Sequence, residues 1–114
     1  MFGDVSVKEG DSVTINSDLT EMKDDDVIQW RFGYRFGDEN TLIAEINVTA
    51  DKITVYDDVL DGRFRGRLKL DNQTGSLTIT NTTTEHDGVF KLQINSEIKR
   101  LFLHVFNLYI VRSE

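Results

Sequence analysis

The chain has 114 residues, of which 39% are hydrophobic and 29% charged, and it carries a formal net charge of −7 with neither cysteine nor proline. This length suits one compact domain, and the composition is that of a folded rather than a disordered chain. The acidic excess argues against a nucleic-acid partner, because Lys and Arg must neutralise a phosphate backbone, and it disfavours an acidic partner overall.

Apolar residues recur with a period of two, in short runs bounded by Gly, Asn and Asp, which is typical of β-strands in a sandwich or barrel. We therefore predict an all-β domain over residues 1–106, without helices. Residues 107–114 are expected to extend the last strand or to form a linker. The predicted strands are, in chain order, 5–8, 12–17, 27–32, 42–47, 53–56, 67–70, 76–80, 89–94 and 98–106.

The cellular location is predicted from two opposing signals. A chain without cysteine is typical of a reducing compartment. Asn47, Asn72 and Asn81 each begin an Asn-x-Thr glycosylation sequon, and all three fall at predicted strand ends or turns, where a glycan can project. The three sequons together outweigh the cysteine signal and predict an extracellular domain. No stretch has the roughly 20 apolar residues of a membrane span, so we expect no membrane contact by this domain itself.

Four stretches follow the order and spacing of an immunoglobulin variable domain, namely EGDSVTINS, VIQWRFG, GSLTIT and EHDGVFKLQI. In this resemblance Ser17 and Leu92 stand at the two cysteine positions, and Trp30 is the core tryptophan of strand C. Nine strands is also the variable-type count. The resemblance therefore implies an immunoglobulin-like β-sandwich of variable type without the inter-sheet disulfide.

A more specific resemblance follows from the W-x-F-G motif of Trp30, Phe32 and Gly33, together with the stretches LIAEIN, DGRF, RLKLDNQTGSLTIT and GVFKLQI. These stretches resemble the N-terminal domain of the signalling lymphocyte activation molecule (SLAM) family of leukocyte adhesion receptors, in particular its fish members. The resemblance implies that the domain binds another immunoglobulin V-like domain through the sheet of strands C, C′, F and G.

The chain departs from the variable-domain pattern at its E–F corner. Phe90 replaces the usual tyrosine, and His86 replaces the aspartate that pairs with an arginine such as Arg65 or Arg67. A carboxylate of Glu85 or Asp87 is the expected substitute. Losing the disulfide costs about 2–5 kcal/mol, and we expect core packing to offset it through the residues that alternation points inward, which are Ile15, Trp30, Leu77, Ile79, Leu92 and Leu103.

The same alternation predicts a polar outer surface on the sheet that holds Trp30. With Trp30, Leu92 and Leu103 inward, their neighbours point outward and form a flat patch of mixed charge. The predicted partner-binding residues are Gln29, Arg31, Glu45, Lys91, Gln93 and Arg100, with Phe102 and His104 exposed on the same strand as Arg100. The expected partner is another V-like domain, either a second copy in a weak homodimer or a related receptor.

Enzymatic and metal functions find little support in the sequence. The chain has no cysteine nucleophile, and His86 and His104 have no base-orienting residues at a suitable spacing, so His86 is predicted to be a satisfied turn residue. The runs 24–26 and 57–58 of aspartates lack the spacing of a calcium loop. We expect no catalytic site, cofactor or metal. The alternative to a recognition domain is an intracellular structural immunoglobulin domain, which predicted strand 53–56 and the sequons disfavour.

Overall fold

The computed structural model describes residues 2–19 and 22–107, and this part of the chain contains nine strands and two short 3₁₀ turns. The predicted all-β sandwich is confirmed, whereas most of the predicted tail 107–114 lies outside the described residues. The strands are β1 (Phe2–Lys8), β2 (Val13–Ile15), β3 (Val27–Gly33), β4 (Thr41–Asn47), β5 (Lys52–Val55), β6 (Leu68–Leu70), β7 (Leu77–Ile79), β8 (Gly88–Ile94) and β9 (Glu97–Phe106), and the 3₁₀ turns are Leu60–Gly62 and Thr84–His86.

The strands form a six-stranded sheet in the order β1-β9-β8-β3-β4-β5 and a three-stranded sheet in the order β2-β7-β6. β1 runs parallel to β9, and the other neighbours are antiparallel. β2 is shorter than the predicted 12–17, because the chain turns where the Asp18 N–H donates to Asn16 Oδ1 at 2.8 Å and Asp18 adopts a φ of 60°. Strands C, C′, F and G of the resemblance are β3, β4, β8 and β9.

The core lies between the two sheets, and the six residues predicted to point inward are each at most 2% exposed. Fully burying such side chains contributes about 1.5–3 kcal/mol each. Trp30 of the large sheet also donates from Nε1 to the Gly75 carbonyl beside β7, at 2.8 Å. Gly75 has a φ of 75°, which favours glycine there. Burial and this hydrogen bond together join the two sheets.

The two cysteine positions of a variable domain are occupied by a buried serine and a buried leucine. Ser17 is 1% exposed, and its hydroxyl donates to the Thr74 carbonyl, while its N–H donates to Ser76 Oγ. Lys99 of β9 reaches across from the large sheet and donates from Nζ to the Ser17 carbonyl at 2.9 Å. Hydrogen bonds around Ser17 and apolar packing around Leu92 therefore replace the covalent link.

The E–F corner is built on His86, which is fully buried. Its Nδ1 accepts from the Thr83 N–H at 3.0 Å, and its Nε2 lies 2.7 Å from the Arg63 carbonyl, so the proton is on Nε2 and the ring is neutral. The ring stacks on Phe64 at 4.8 Å. Burial lowers the pKa of His86 by more than the Arg63 carbonyl and Glu85 raise it. His86 is thus a satisfied structural residue, as predicted.

The expected carboxylate substitute at this corner is wrong. Arg65 pairs with Asp58, and Arg67 donates to the Asn81 carbonyl. Asp87 instead accepts from the Val105 N–H at 2.9 Å, and Glu85 is exposed. The neutral histidine satisfies backbone groups directly, so the corner needs no ion pair.

Phe90 occupies the tyrosine position of the corner and belongs to an aromatic cluster. Its ring lies 4.9 Å from that of Phe32 and 6.0 Å from that of Phe64, both edge to face. All three rings are at most 1% exposed. Contacts between aromatic rings in this geometry contribute about 0.5–1.5 kcal/mol per pair beyond area burial. Packing therefore replaces the tyrosine hydroxyl bond.

Candidate binding face

The outer face of the large sheet is the surface that β3, β4, β8 and β9 turn away from the core. The cross-strand register arranges the predicted binding residues in two adjacent rows on this face. In the first row Gln29 lies opposite Glu45 and Gln93, and in the second Lys91 lies opposite Arg31 and Arg100. The structure thus brings all six predicted residues together, and each is half-buried.

The first row is joined by side-chain hydrogen bonds. Gln29 donates from Nε2 to Glu45 Oε2 at 2.8 Å and accepts on Oε1 from Arg31 at 3.1 Å. Gln93 donates to the Asn95 carbonyl at 3.1 Å. These bonds hold Gln29, Glu45 and Arg31 in one orientation, so a partner that contacts them meets side chains that are already ordered.

The second row consists of three cations on neighbouring strands. Directly opposed residues have Cβ atoms about 4.5–5.5 Å apart, a separation at which like charges are destabilising. Arg31 donates to the Asn40 carbonyl at 3.2 Å, and Arg100 pairs with Glu39. The side chain of Lys91, between them, makes neither a hydrogen bond nor an ion pair with any residue in the described part of the chain. The row therefore carries an uncompensated positive charge at its middle.

A β-bulge lies beside this row. The register between β3 and β4 shifts between Trp30 and Arg31, so that Trp30 faces Ala44 and Arg31 faces Leu42. The extra residue, Ile43, is fully buried. A bulge bends its strand and increases the local twist. Here the bulge lies between the Gln29–Glu45 pair and the hydrogen bond from Arg31 to the Asn40 carbonyl.

The β3–β4 hairpin, residues 34–40, contributes a buried acid that alternation did not identify. Glu39 is 2% exposed and accepts from Arg100 Nε at 2.7 Å and from the Gly37 N–H at 2.6 Å. Burial by itself raises the pKa of Glu39, but the hydrogen bonds from Arg100 and from backbone N–H groups outweigh it, and the pKa falls below its usual value. Glu39 is therefore ionised at neutral pH and fixes Arg100 against the hairpin.

The same hairpin presents two exposed aromatic side chains. Phe36 is 61% exposed and lies with its ring 5.2 Å from the Arg100 guanidinium, while Tyr34 is 55% exposed and lies 4.9 Å from that of Arg63. The hairpin closes tightly at its base, because a Cβ on Gly33 would collide with the Asp38 carbonyl. Sequence periodicity gave no sign of Phe36, since it applies to strands and not to turns.

The remaining outward residues of β9 form an aromatic margin of the outer face. His104 is exposed, as predicted, and lies 3.2 Å from an Asp4 carboxylate oxygen. Phe102 is half-buried and stacks on His104 at 5.9 Å. Beyond this margin the exposed residues Asp4, Ser6 and Lys8 of β1 make the surface polar again.

The three sequon asparagines lie at different places on the molecule. Asn72 and Asn81 are exposed in turns that flank β7, and Asn47 is half-buried at the end of β4. Asn47 accepts from the Ala50 N–H at 3.1 Å, and it stands two residues after Glu45, so it points to the same face. Glycosylation at these sites stays a prediction.

Within residues 2–19 and 22–107, no group of three His, Cys, Asp or Glu side chains is placed to hold a metal ion. In the same ranges no helix is long and apolar enough to cross a membrane. The outer face is a broad surface on which polar side chains from four strands lie side by side, an arrangement suited to contact with another macromolecule.

The immunoglobulin V-set domain model matches residues 3–111. Among solved structures, the CD2-binding domain of CD58 is similar at 18% identity over 92% of this chain (TM-score 0.69), and the chain spans 54% of that one. CD84, a SLAM family structure, is similar at 21% identity over 95% of this chain and 100% of that one (TM-score 0.72). The extracellular domain of the voltage-gated sodium channel β4 subunit is similar at 16% identity over 99% and 92% (TM-score 0.68).

All three structures share less than 25% sequence identity with this chain, so their similarity shows the fold alone. No curated protein sequence matches the chain. The match to the family model covers nearly the whole length and agrees with the observed sheets and core. The chain therefore belongs to the immunoglobulin V-set domain family.

Proposed function

We propose that this domain is an extracellular recognition module of a cell-surface receptor, and that it binds another immunoglobulin V-like domain through the outer face. The observation that carries the proposal is the pair of registered rows, in which six polar side chains from four strands lie side by side on one broad surface. In this proposal the receptor is SLAM-like, of the kind found in fish, and acts in immune-cell adhesion and co-signalling.

The chemistry of the rows suits weak and selective binding. Solvent-exposed ion pairs contribute only about 0–1 kcal/mol each, but complementary charge steers the encounter and excludes wrong partners. The hydrogen bonds among Gln29, Arg31 and Glu45 lower the cost of ordering side chains on binding. A short-lived contact between cells needs this combination of low affinity and high selectivity.

The descriptions of two similar structures support this proposal. The CD58 domain is described as binding CD2, and the sodium channel β4 extracellular domain as a parallel homodimer that explains cell–cell adhesion. The predicted glycans on Asn47, Asn72 and Asn81 agree with an extracellular location. The absence of cysteine favours the second candidate, which is an intracellular structural domain. However, this chain has β5 between strands C′ and D, and structural immunoglobulin domains more often lack a strand at that place.

Binding is tested with fluorescent tetramers of the domain, applied to cells that each display one V-type ectodomain, this chain included. We expect staining of one or a few lines, reduced at least tenfold by the double reversal Arg31→Glu and Lys91→Glu. The matched control reverses Arg65 and Lys69, which are exposed and lie near or on β6 of the other sheet. Equal loss of staining with both double variants, or no staining of any line, contradicts the proposal.

Location is tested on protein made in animal cells. We expect glycosidase treatment to lower the apparent mass, and each of Asn47→Gln, Asn72→Gln and Asn81→Gln to remove one step of that change. An unglycosylated native product in the cytosol supports the structural alternative instead.

A further inference from the structure

We infer that the outer face recognises a different, acidic protein face rather than a second copy of this chain, with Lys91 as the central contact and Phe36 as the apolar anchor. The inference rests on the proposed function and selects between its two kinds of partner. It depends on the second row, on the carboxylates beside it, and on the hairpin.

The second row disfavours self-pairing by symmetry. In a two-fold symmetric dimer, residues near the axis contact their own copies. Lys91 lies between Arg31 and Arg100 in the row, on a strand in the middle of the sheet. A two-fold axis through this row therefore places Lys91 against a cation of the second copy, and like charges opposite one another repel.

The carboxylates nearest the rows do not compensate for this repulsion. Glu39 is buried in an ion pair with Arg100, and Glu45 already accepts a hydrogen bond from Gln29. Among the residues that the structure describes, the other exposed carboxylates near this face lie outside both rows, with Asp38 in the hairpin, Glu97 at the start of β9 and the aspartates at 24, 25, 57 and 58 in loops. A symmetric contact centred on Lys91 does not bring them opposite it, whereas an acidic face supplies a carboxylate there.

The overall charge of −7 does not prevent recognition of an acidic face. At physiological ionic strength the screening length is about 8 Å, so charges on distant loops act weakly on a partner at the outer face. The cations of the row are in direct contact range, and their interaction with a facing carboxylate is screened least. The cations of the second row therefore determine whether the interaction with a partner face is attractive or repulsive.

Phe36 supplies the apolar part of the contact. It is 61% exposed at the hairpin, yet it is ordered by the Arg100 guanidinium at 5.2 Å, and Arg100 is itself held by Glu39. Aromatic and arginine side chains are enriched among residues that dominate binding energy. The partner face accordingly has an apolar hollow for Phe36 and a carboxylate for Lys91.

The test uses this chain with an acidic outer face as the probe. Beads of one colour carry the wild type, and beads of a second colour carry the variant Arg31→Glu, Lys91→Glu. We expect mixed aggregates at about 0.15 M ionic strength, where the screening length is about 8 Å, and dispersed beads when both colours carry the wild type. Beads with Arg65→Glu, Lys69→Glu have the same net charge as the probe and are expected to stay dispersed with wild type.

Phe36→Ala is expected to reduce tetramer staining of the recognised V-type ectodomain about tenfold, and unchanged staining would overturn the role of Phe36 as an anchor. Wild-type beads that aggregate with one another, and lose this with Lys91→Glu, overturn the inference while leaving recognition through the outer face intact. Absence of mixed aggregates also overturns it, because an acidic face is then not recognised. Staining of no V-type ectodomain by the tetramers is the separate failure of the proposed function.

Discussion

The inner and outer sides of β3 and β8 are built from alternate residues of the same strands, yet they hold their side chains by different means. Trp30, Phe90 and Leu92 on the inner side are at most 2% exposed and are held by close packing. Arg31 and Lys91, their immediate neighbours, are half-buried and polar. One step along the strand separates a residue that maintains the fold from a residue that is available to a partner.

The largest expected effect is on the inner side. Trp30→Ala removes a buried indole and its bond to the Gly75 carbonyl, and we expect the free energy of unfolding to fall by about 3–5 kcal/mol. Urea unfolding followed by circular dichroism measures it. Gln29→Ala, one residue away on the outer side, is the matched control and should change stability by only about 1 kcal/mol, through its two part-exposed hydrogen bonds. Similar losses in both variants would remove the distinction between the two sides.

Glu39 is expected to behave as an inner residue although it serves the outer face. Glu39→Gln keeps the shape but removes the charge that pairs with Arg100, and we expect a loss of about 1.5–3 kcal/mol. Glu45→Gln is the control, because Glu45 is half-buried and bonds to a neutral amide. If urea unfolding shows the same loss of free energy in both variants, the buried ion pair stabilises the fold no more than the half-buried Glu45 does, and the prediction is contradicted.

His86 makes stability depend on pH. Its pKa is lowered in the folded state, so folding holds the ring neutral, and the stability this provides is present above the unfolded-state pKa of about 6.5. As pH falls below 6.5, we expect the free energy of unfolding to decrease by up to about 1.4 kcal/mol per pH unit. Asp26 and Glu39 have lowered pKa values and add their own loss only below about pH 5.

Urea midpoints between pH 7.5 and 5 measure the histidine effect. His86→Gln should flatten the profile, and Lys69→Glu, an exposed substitution that keeps His86, should leave it steep. Should His86→Gln fail to fold, the wild-type slope still decides the point, since a flat wild-type profile above pH 5 contradicts the prediction.

The smallest expected effect on stability is that of Lys91→Glu. This change relieves the repulsion between Lys91 and its two neighbours in the row, and we expect a shift of about 0.5 kcal/mol or less. Lys69→Glu on the other sheet is the control and should be similarly mild. Partner binding should fall only in the first variant, as measured by tetramer staining. A large loss of stability in Lys91→Glu would mean that the outer side also maintains the fold.

Strand periodicity accounts for most of what the sequence could predict. All nine strands were found near their predicted positions, and alternation placed Gln29, Arg31 and Glu45 on one face with their neighbours on β8 and β9. The reason is physical, because a sheet with one buried face constrains every second residue. The bounds of β1 and β2 were wrong, because β1 already pairs with β9 from Phe2 onwards and a local Asn16–Asp18 turn ends β2 early.

The hairpin and the corner were less predictable because their contacts join residues far apart in the chain. Glu39 is buried by pairing with Arg100, 61 residues later, and no local pattern marks that pairing. His86 was predicted to be satisfied, but its bond to the Arg63 carbonyl spans 23 residues. Periodicity reports the environment along one strand, whereas these contacts depend on how separate loops meet.

The parallel pairing of β1 with β9 has a mechanical consequence. Phe2 lies beside Arg100 and Lys8 beside Phe106, so the start of β1 and the end of β9 lie at opposite ends of this strand pair. Tension applied between Phe2 and Phe106 slides the two strands along each other and loads their hydrogen bonds together rather than one after another. The pair therefore resists a pull between these two residues more strongly than an antiparallel hairpin pulled at its open end, whose hydrogen bonds break one at a time.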